Sequence, residues 1–174
     1  MLVRRERMGD VPAVRRVVTA AFTGPGASSG AAVPPEAALL DSLRVHNAWI
    51  PELSLIAETS DGTVVGHVVC TRGTVGGNPA VGLGPLAVRP DWQRRGVGKA
   101  LMYAVLGAAD AMGEPLVALL GDPAYYRRYG FQASTEYGIA PPNPQWGDYF
   151  QVRTLSAYQG QTGTFAYPEP FNRL

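Results

Sequence analysis

Three cations and two glycines fall within seven residues, Gln93-Arg94-Arg95-Gly96-Val97-Gly98-Lys99, and lead directly into an apolar-periodic stretch. A helix N-terminus carries roughly half a positive charge, so each cation there is disfavoured by roughly 0.3–1 kcal/mol unless an anion answers it. The glycines let a ligand approach the backbone N–H groups that a first helical turn leaves without partners. Orphan donors, the helix dipole and three cations at one point describe a cradle for a phosphate or pyrophosphate. A solvated basic turn is the alternative reading of the same charges.

Two phosphate loops fail on residue identity. A Walker A loop needs Gly-x-x-x-x-Gly-Lys-Ser/Thr. Here Gln93 stands at the first glycine and Ala100 at the hydroxyl that would ligate Mg²⁺. A dinucleotide fingerprint needs Gly-x-Gly-x-x-Gly between strand and helix. Gly82-Leu83-Gly84 is followed by Ala87 at the third glycine and lies within or before a strand. What remains is Gln/Arg-x-x-Gly-x-Gly, met by Gln93, Gly96 and Gly98.

With that loop, the stretch Gly82 to Phe131, ending LGDPAYYRRYGF, resembles the GNAT superfamily of acetyl-CoA-dependent N-acetyltransferases. The likeness extends through Phe150-Gln151-Val152 to Phe171-Asn172-Arg173, similar to the YhbS-like branch. The resemblance implies an α/β (α+β, GNAT-like) fold: a mixed, mostly antiparallel central sheet, splayed after its fourth strand and flanked by helices. It implies one acyl-CoA N-acyltransferase domain over 1–174, with acetyl-CoA as co-substrate and no metal. Gln93, Arg94, Arg95, Gly96, Val97, Gly98 and Lys99 are then the pyrophosphate loop. Backbone groups of Leu86, Ala87 and Val88 receive the pantetheine arm and thioester.

Acetyl transfer to an amine sets two proton problems. The leaving thiolate needs a donor, and a phenol, with a reference pKa of about 10, stays protonated at neutral pH. Tyr126, four residues before Gly130, matches the family's general-acid position, with Tyr125 and Tyr129 as competitors. The amine must lose a proton, and Glu58 or His67, on strands leading into the core, are the candidate bases. Free N–H groups near Leu86 or Ala87 would steady the carbonyl oxygen. Cys70 has no neighbouring His or Lys in sequence to activate it, which favours direct attack on the thioester over an acyl-cysteine. The expected activity is transfer of acetyl to a primary amine of a small molecule or a protein terminus. The alternatives are a catalytically silent acyl-CoA sensor or interaction module, and a nucleotide-phosphate enzyme.

The surrounding elements follow from periodicity and punctuation. Leu2 to Arg5 reads as a strand, and Asp10 as the cap of a helix burying Val14, Val17, Val18, Ala21 and Phe22. Thr23 to Pro35 reads as a flexible loop. A helix over Glu36 to His46 turns Leu39, Leu40 and Leu43 inward, and the resemblance puts both beside the acceptor site. Leu53 to Thr59, Val64 to Val75 and Leu83 to Val88 read as strands, the first two joined through Asp61-Gly62 as a hairpin. Pro85, lacking an N–H, marks an edge, a bulge or a strand parting from its neighbour. The main helix buries Val97, Leu101, Ala104, Ala108 and Ala111 or Met112, and stops at Gly113. Leu116 to Gly121 is a strand, Asp122-Pro123 starts a short helix ended by Gly130, and Pro141, Pro142 and Pro144 form a loop. Asp148 to Leu155 and Gly163 to Tyr167 are the last strands.

Composition narrows the function classes. A length of 174 residues is one domain's worth, and a net charge of +1 argues against nucleic-acid binding. One cysteine and two separated histidines leave no internal disulfide and argue against a Cys or His metal site. No apolar run approaches a membrane span and Met1 to Asp10 has no signal-type core, so a cytoplasmic monomer or homodimer is expected.

Overall fold

The computed structural model describes residues 1–23 and 33–173, so most of the Thr23 to Pro35 loop lies outside the described residues. Nine strands form a mixed, mostly antiparallel sheet: β1 Leu2–Arg5, β2 Trp49–Glu58, β3 Val64–Val75, β4 Asn78–Val88, β5 Leu116–Leu120, β6 Gln132–Ala133, β7 Ile139–Ala140, β8 Phe150–Thr154 and β9 Gly163–Ala166. Among the described residues four α-helices accompany them: α1 Val11–Phe22, α2 Pro35–Arg44, α3 Val97–Ala111 and α4 Pro123–Tyr126. The main order is β1-β2-β3-β4-β5-β8-β6, with β9 paired to β3 and to β7. Trp49 of β2 reaches only Thr71, and β9 takes up the uncovered end of β3 at Thr74 and Val75.

From Val64 to Thr71 β3 is buried on both faces, as a largely apolar run in mid-sheet should be. One face receives α3 and the other α1 and α2. The α3 face differs from its expected stripe: Val97 and Leu101 are buried, joined by Met102, Val105, Leu106 and Ala109, while Ala104 and Ala108 lie at the margin and Ala111 and Met112 outside. Alanine-rich helices carry little periodicity, and the larger side chains decide the inward face. Phe22 also departs from expectation at 41% exposed. Asp10 stands at the start of α1 without capping it; its carboxylate pairs with Arg4 at 2.7 Å and accepts from the Arg7 N–H.

The strand carrying Pro85 starts earlier than its sequence suggests. Gly76 and Gly77, both with positive φ, make a two-residue turn that returns β3 into β4 at Asn78. Val68 pairs with Leu86 but Cys70 with Leu83, so β4 holds one extra residue around Gly84-Pro85. This β-bulge absorbs the missing proline N–H. On its other side β4 pairs with β5 only at Val81↔Val117 and Gly82↔Ala118. Beyond Gly82 the two strands part, and the gap opens where the bulge bends β4.

Candidate active site

The parted strands border two cavities. The smaller, about 620 Å³, is lined by Leu86 and Val88 of β4, by Gln93, Arg94, Gly96, Gly98 and Lys99 of the basic loop, and by Tyr125, Tyr126, Arg128 and Tyr129. The larger, about 920 Å³, lies between β4, β5, the start of α2 and the segments 142–146 and 165–172. Leu86 and Tyr126 line both. They stand where the cavities meet.

The basic loop is shaped by its backbone. Arg94 has φ 58° and Gly96 φ 84°, both left-handed, and Gly96 is the N-cap of α3 with no side chain capping the helix. A non-glycine residue in that region costs about 1 kcal/mol or more and clusters at functional sites. Gln93 pins the loop by donating its side-chain amide to the Val88 carbonyl at 3.1 Å. Added bulk at Gly98 would crowd Tyr125, since a Cβ there would sit 3.1 Å from the phenolic oxygen. The cradle keeps its room because this position has no side chain.

Not every expected loop residue turns to the cavity. The Arg95 guanidinium lies over the Trp92 ring, 5.3 Å from its centroid. Val97 is buried in the core under Gly66, so only its backbone N–H faces the helix start. Ala87 is corrected likewise. Its methyl packs with α1, and strand alternation from the Arg89 N–H to Val65 carbonyl bond turns its peptide groups toward β3. The same alternation turns those of Leu86 and Val88 into the gap, where the Val88 carbonyl meets Gln93. Arg128, which sequence reading passed over, joins the cradle with its guanidinium 4.9 Å from the Tyr125 ring centroid.

The three tyrosines separate by environment. Tyr129 is 2% exposed and donates its hydroxyl to Tyr125 at 3.2 Å. The Tyr126 hydroxyl makes no hydrogen bond among the described residues, and burial, with a smaller contribution from Tyr125, pushes its phenol up to about 12. It is protonated at neutral pH and stands at the junction of the cavities. Its ring lies edge-on to Tyr125 and Phe131, at 4.9 and 5.9 Å. Gly121 leaves it space: a Cβ there would sit 2.8 Å from Cδ2 and closer still to Cε2.

Neither expected base faces a cavity. Glu58 is held by Arg4 at 2.7 Å beside β1. His67 has no exposed surface and belongs to a buried network under α2. Its Nε2 lies 3.2 Å from Glu6 and 3.0 Å from Ser54 Oγ, while Arg44 reaches Glu6 at 2.6 Å. Burial lowers the His67 pKa, and Nδ1 has no partner, which fits a neutral ring with its proton on Nε2. Burial raises Glu6, but His67, Ser54 and Arg44 outweigh it and bring it to about 2. The base assignment is therefore not carried forward to either residue. Cys70 is fully buried and burial raises its thiol pKa, removing it from nucleophilic chemistry.

The larger cavity brings in residues the sequence did not single out: Phe22, Glu36, Asn143, Trp146, Tyr167, Phe171 and Asn172. Tyr167 lies under Gly82, where a Cβ would approach its ring to 2.6 Å, and stacks on Phe171 at 4.4 Å. Its only sequence signal was a place at the end of a short strand. Among the described residues no cluster of three or more His, Cys, Asp or Glu side chains is placed to hold a metal, and no helix is long and apolar enough to cross a membrane.

A mixed sheet that parts beside a glycine-bearing, basic helix start defines a class of acyl-transferring folds. The chain belongs to that class by sequence as well: residues 28–131 match the model of the Acetyltransferase (GNAT) family, and the chain is a member of it. The match ends at Phe131, before the segments 142–146 and 165–172 that complete the wall of the larger cavity. The chain is 32% identical to the uncharacterized N-acetyltransferase YhbS of Escherichia coli K12, over the full length of both. It is 36% identical to the uncharacterized N-acetyltransferase YjhQ of the same strain, over 78% of this chain and 72% of that protein. Among solved structures, E. coli YhbS in complex with CoA superposes with a TM-score of 0.87 at 31% identity, covering 99% of this chain and 92% of that one. A GNAT acetyltransferase from Brucella melitensis in complex with acetyl-CoA superposes with a TM-score of 0.77 at 33% identity, covering 98% and 97%.

Proposed function

We propose that this protein is an acetyl-CoA-dependent N-acetyltransferase that moves acetyl to a primary amine by direct attack on the thioester. The observation that carries the reading is that Tyr126 and Leu86 line both cavities, one basic and one without a cation among its described lining residues. CoA and acetyl-CoA are the molecules held by the two full-length structural relatives, and the smaller cavity suits the same chemistry. Gln93, Arg94, Gly96, Gly98, Lys99 and Arg128 would hold the pyrophosphate and nucleotide phosphates, aided by the uncapped N-terminus of α3. The gap-facing peptide groups of Leu86 and Val88 would bond the pantetheine amides and the thioester. Acetyl-CoA supplies an acetyl group activated as a thioester.

The proton account balances as follows. An ammonium R–NH₃⁺ sheds one proton to water through the open cavity and becomes nucleophilic. The new bond joins the amine nitrogen to the acetyl carbon, the carbon–sulfur bond breaks, and the nitrogen loses its second proton. Tyr126, kept protonated by burial, gives its phenolic proton to the departing sulfur and is restored by the proton the nitrogen releases. The net products are an amide, a thiol and one H⁺. A Tyr126→Phe variant, assayed by thiol release with acetyl-CoA affinity measured by calorimetry, should lose roughly 10²–10⁴ in kcat with affinity unchanged. Unchanged turnover would remove Tyr126 from the chemistry. No acetyl-CoA binding by the wild type would remove the transferase reading.

A further inference from the structure

The larger cavity is sorted by charge and by surface. Among its described lining residues Glu36 is the one acidic side chain, and no arginine, lysine or histidine joins it. Glu36 is half-buried in the first turn of α2 and makes no ion pair or hydrogen bond among the described residues. A first-turn glutamate suits the helix dipole. What marks this one is that it faces an aromatic cavity and no cation of the protein.

The rest of the wall is apolar and flat. Tyr167 and Phe171 stack 27° from parallel, and Phe165 meets Tyr167 edge-on at 4.8 Å. Phe22 and Trp146 add further ring surface, and Asn143 and Asn172 are the amide handles. Aromatic faces attract cations and apolar bodies alike. A volume of about 920 Å³ admits a small organic molecule with room for water.

Resting on the acetyltransferase reading above, we propose that this cavity selects primary amines with an aromatic or other apolar body and no carboxylate, the ammonium being held by Glu36. An amino acid would bring its carboxylate into a site that already holds one and offers no cation to answer it. A polyamine would place its second and third charges against aromatic wall with no further carboxylate to receive them. An arylalkylamine meets one acid with one cation and lays its ring on the Tyr167–Phe171 surface.

The test compares 2-phenylethylamine, L-phenylalanine and spermidine as acceptors at saturating acetyl-CoA, by thiol release, with acetyl-CoA titrated calorimetrically on the same preparation. The expected result is a kcat/KM for 2-phenylethylamine at least about tenfold above the other two, matching the strength of a charge-assisted contact. Glu36→Gln should raise KM for 2-phenylethylamine about tenfold with kcat little changed, and Glu36→Lys should shift preference toward L-phenylalanine. If the Glu36 variants do not fold, direct titration of 2-phenylethylamine into wild type decides: an affinity that falls with salt supports the ion pair, and a salt-independent one overturns it. Preference for L-phenylalanine or spermidine, or a Glu36→Gln variant with wild-type KM, overturns the acceptor class while the transferase stands. Absence of acetyl-CoA binding and of transfer to all three overturns the reading beneath it as well.

Discussion

Gly121 carries no chemistry, yet its substitution by alanine should cripple transfer. Its φ is not in the left-handed region, so the backbone accepts a side chain. Its peptide is pinned, the N–H donating to the Tyr149 carbonyl at 2.9 Å and the carbonyl accepting from Gln151 at 2.9 Å. The strain of an added methyl therefore falls on the neighbour it meets, the Tyr126 ring, with Cδ2 at 2.8 Å and Cζ at 3.3 Å. Carbon atoms rest about 3.5–4.0 Å apart, so the ring must retreat by about an ångström. A displacement of that size at a reacting centre costs about 10²-fold in rate. Gly121→Ala should therefore lower kcat about a hundredfold while acetyl-CoA affinity stays near wild type. The Gly121→Ala/Tyr126→Phe double variant should be no slower than Tyr126→Phe alone, because both act on one hydroxyl. Steady-state thiol release on the four proteins of the cycle measures this. Additive losses would place the effect of Gly121 elsewhere, and a wild-type kcat in the alanine variant would refute the positioning argument.

Further expectations follow from the same geometry. Lys99→Ala should weaken acetyl-CoA binding about tenfold and Arg95→Ala less than threefold, since Lys99 lines the cradle and Arg95 lies on Trp92; calorimetry giving the reverse order would put the Arg95 guanidinium in the cradle. Acid should destabilise the fold through the buried network under α2. His67 is held below its ordinary 6.5, so the unfolded chain takes up the proton first and stability declines as pH falls below that value. Glu6 adds stability above its ordinary 4.5 that is lost as pH falls toward about 2; melting temperatures that rise on acidification from 6.5 to 5 would contradict a neutral, buried His67. Gly66→Ala would bring a Cβ 2.8 Å from Val97 Cγ1 and 2.9 Å from Leu101 Cδ1. Overpacking of this kind costs about 1–3 kcal/mol, and an unchanged thermal midpoint would show that α3 yields freely there.

What the sequence disclosed and what it hid divide along physical lines. The basic loop and Pro85 carry local signals, glycine spacing and a missing N–H, whereas Tyr126 was named through the family resemblance and lies where the two cavities meet. Pro85 announced an edge, a bulge or a parting strand without choosing among them; the bulge shows only in the pairing with β3, and the parting only in the two-position pairing with β5. The fate of His67 was not legible, because Glu6 and Ser54 meet it from distant parts of the chain and Arg44 in turn holds Glu6. Strands β6 and β7 have two residues each, too few to show alternation. The cavity wall from 142 to 172 is assembled by β9 joining the far end of β3, a contact between residues some ninety positions apart. No local pattern announces that.

That assembly has a consequence for how such enzymes diversify. The two sides of the cleft are written in separate stretches of the chain, the cradle and Tyr126 between Gln93 and Tyr129 and much of the acceptor wall between Pro142 and Asn172. Strand β9 touches β3 at only two register positions, but β8 within the same stretch pairs with β5 along its length, from Leu116↔Thr154 to Leu120↔Phe150, so the later stretch is built into the sheet. Substitutions among its lining residues can therefore reshape the larger cavity while the basic loop is left as it is. Exchanging single lining residues such as Asn143, Trp146 or Asn172, with β8 left in place, is the change the sheet pairing permits.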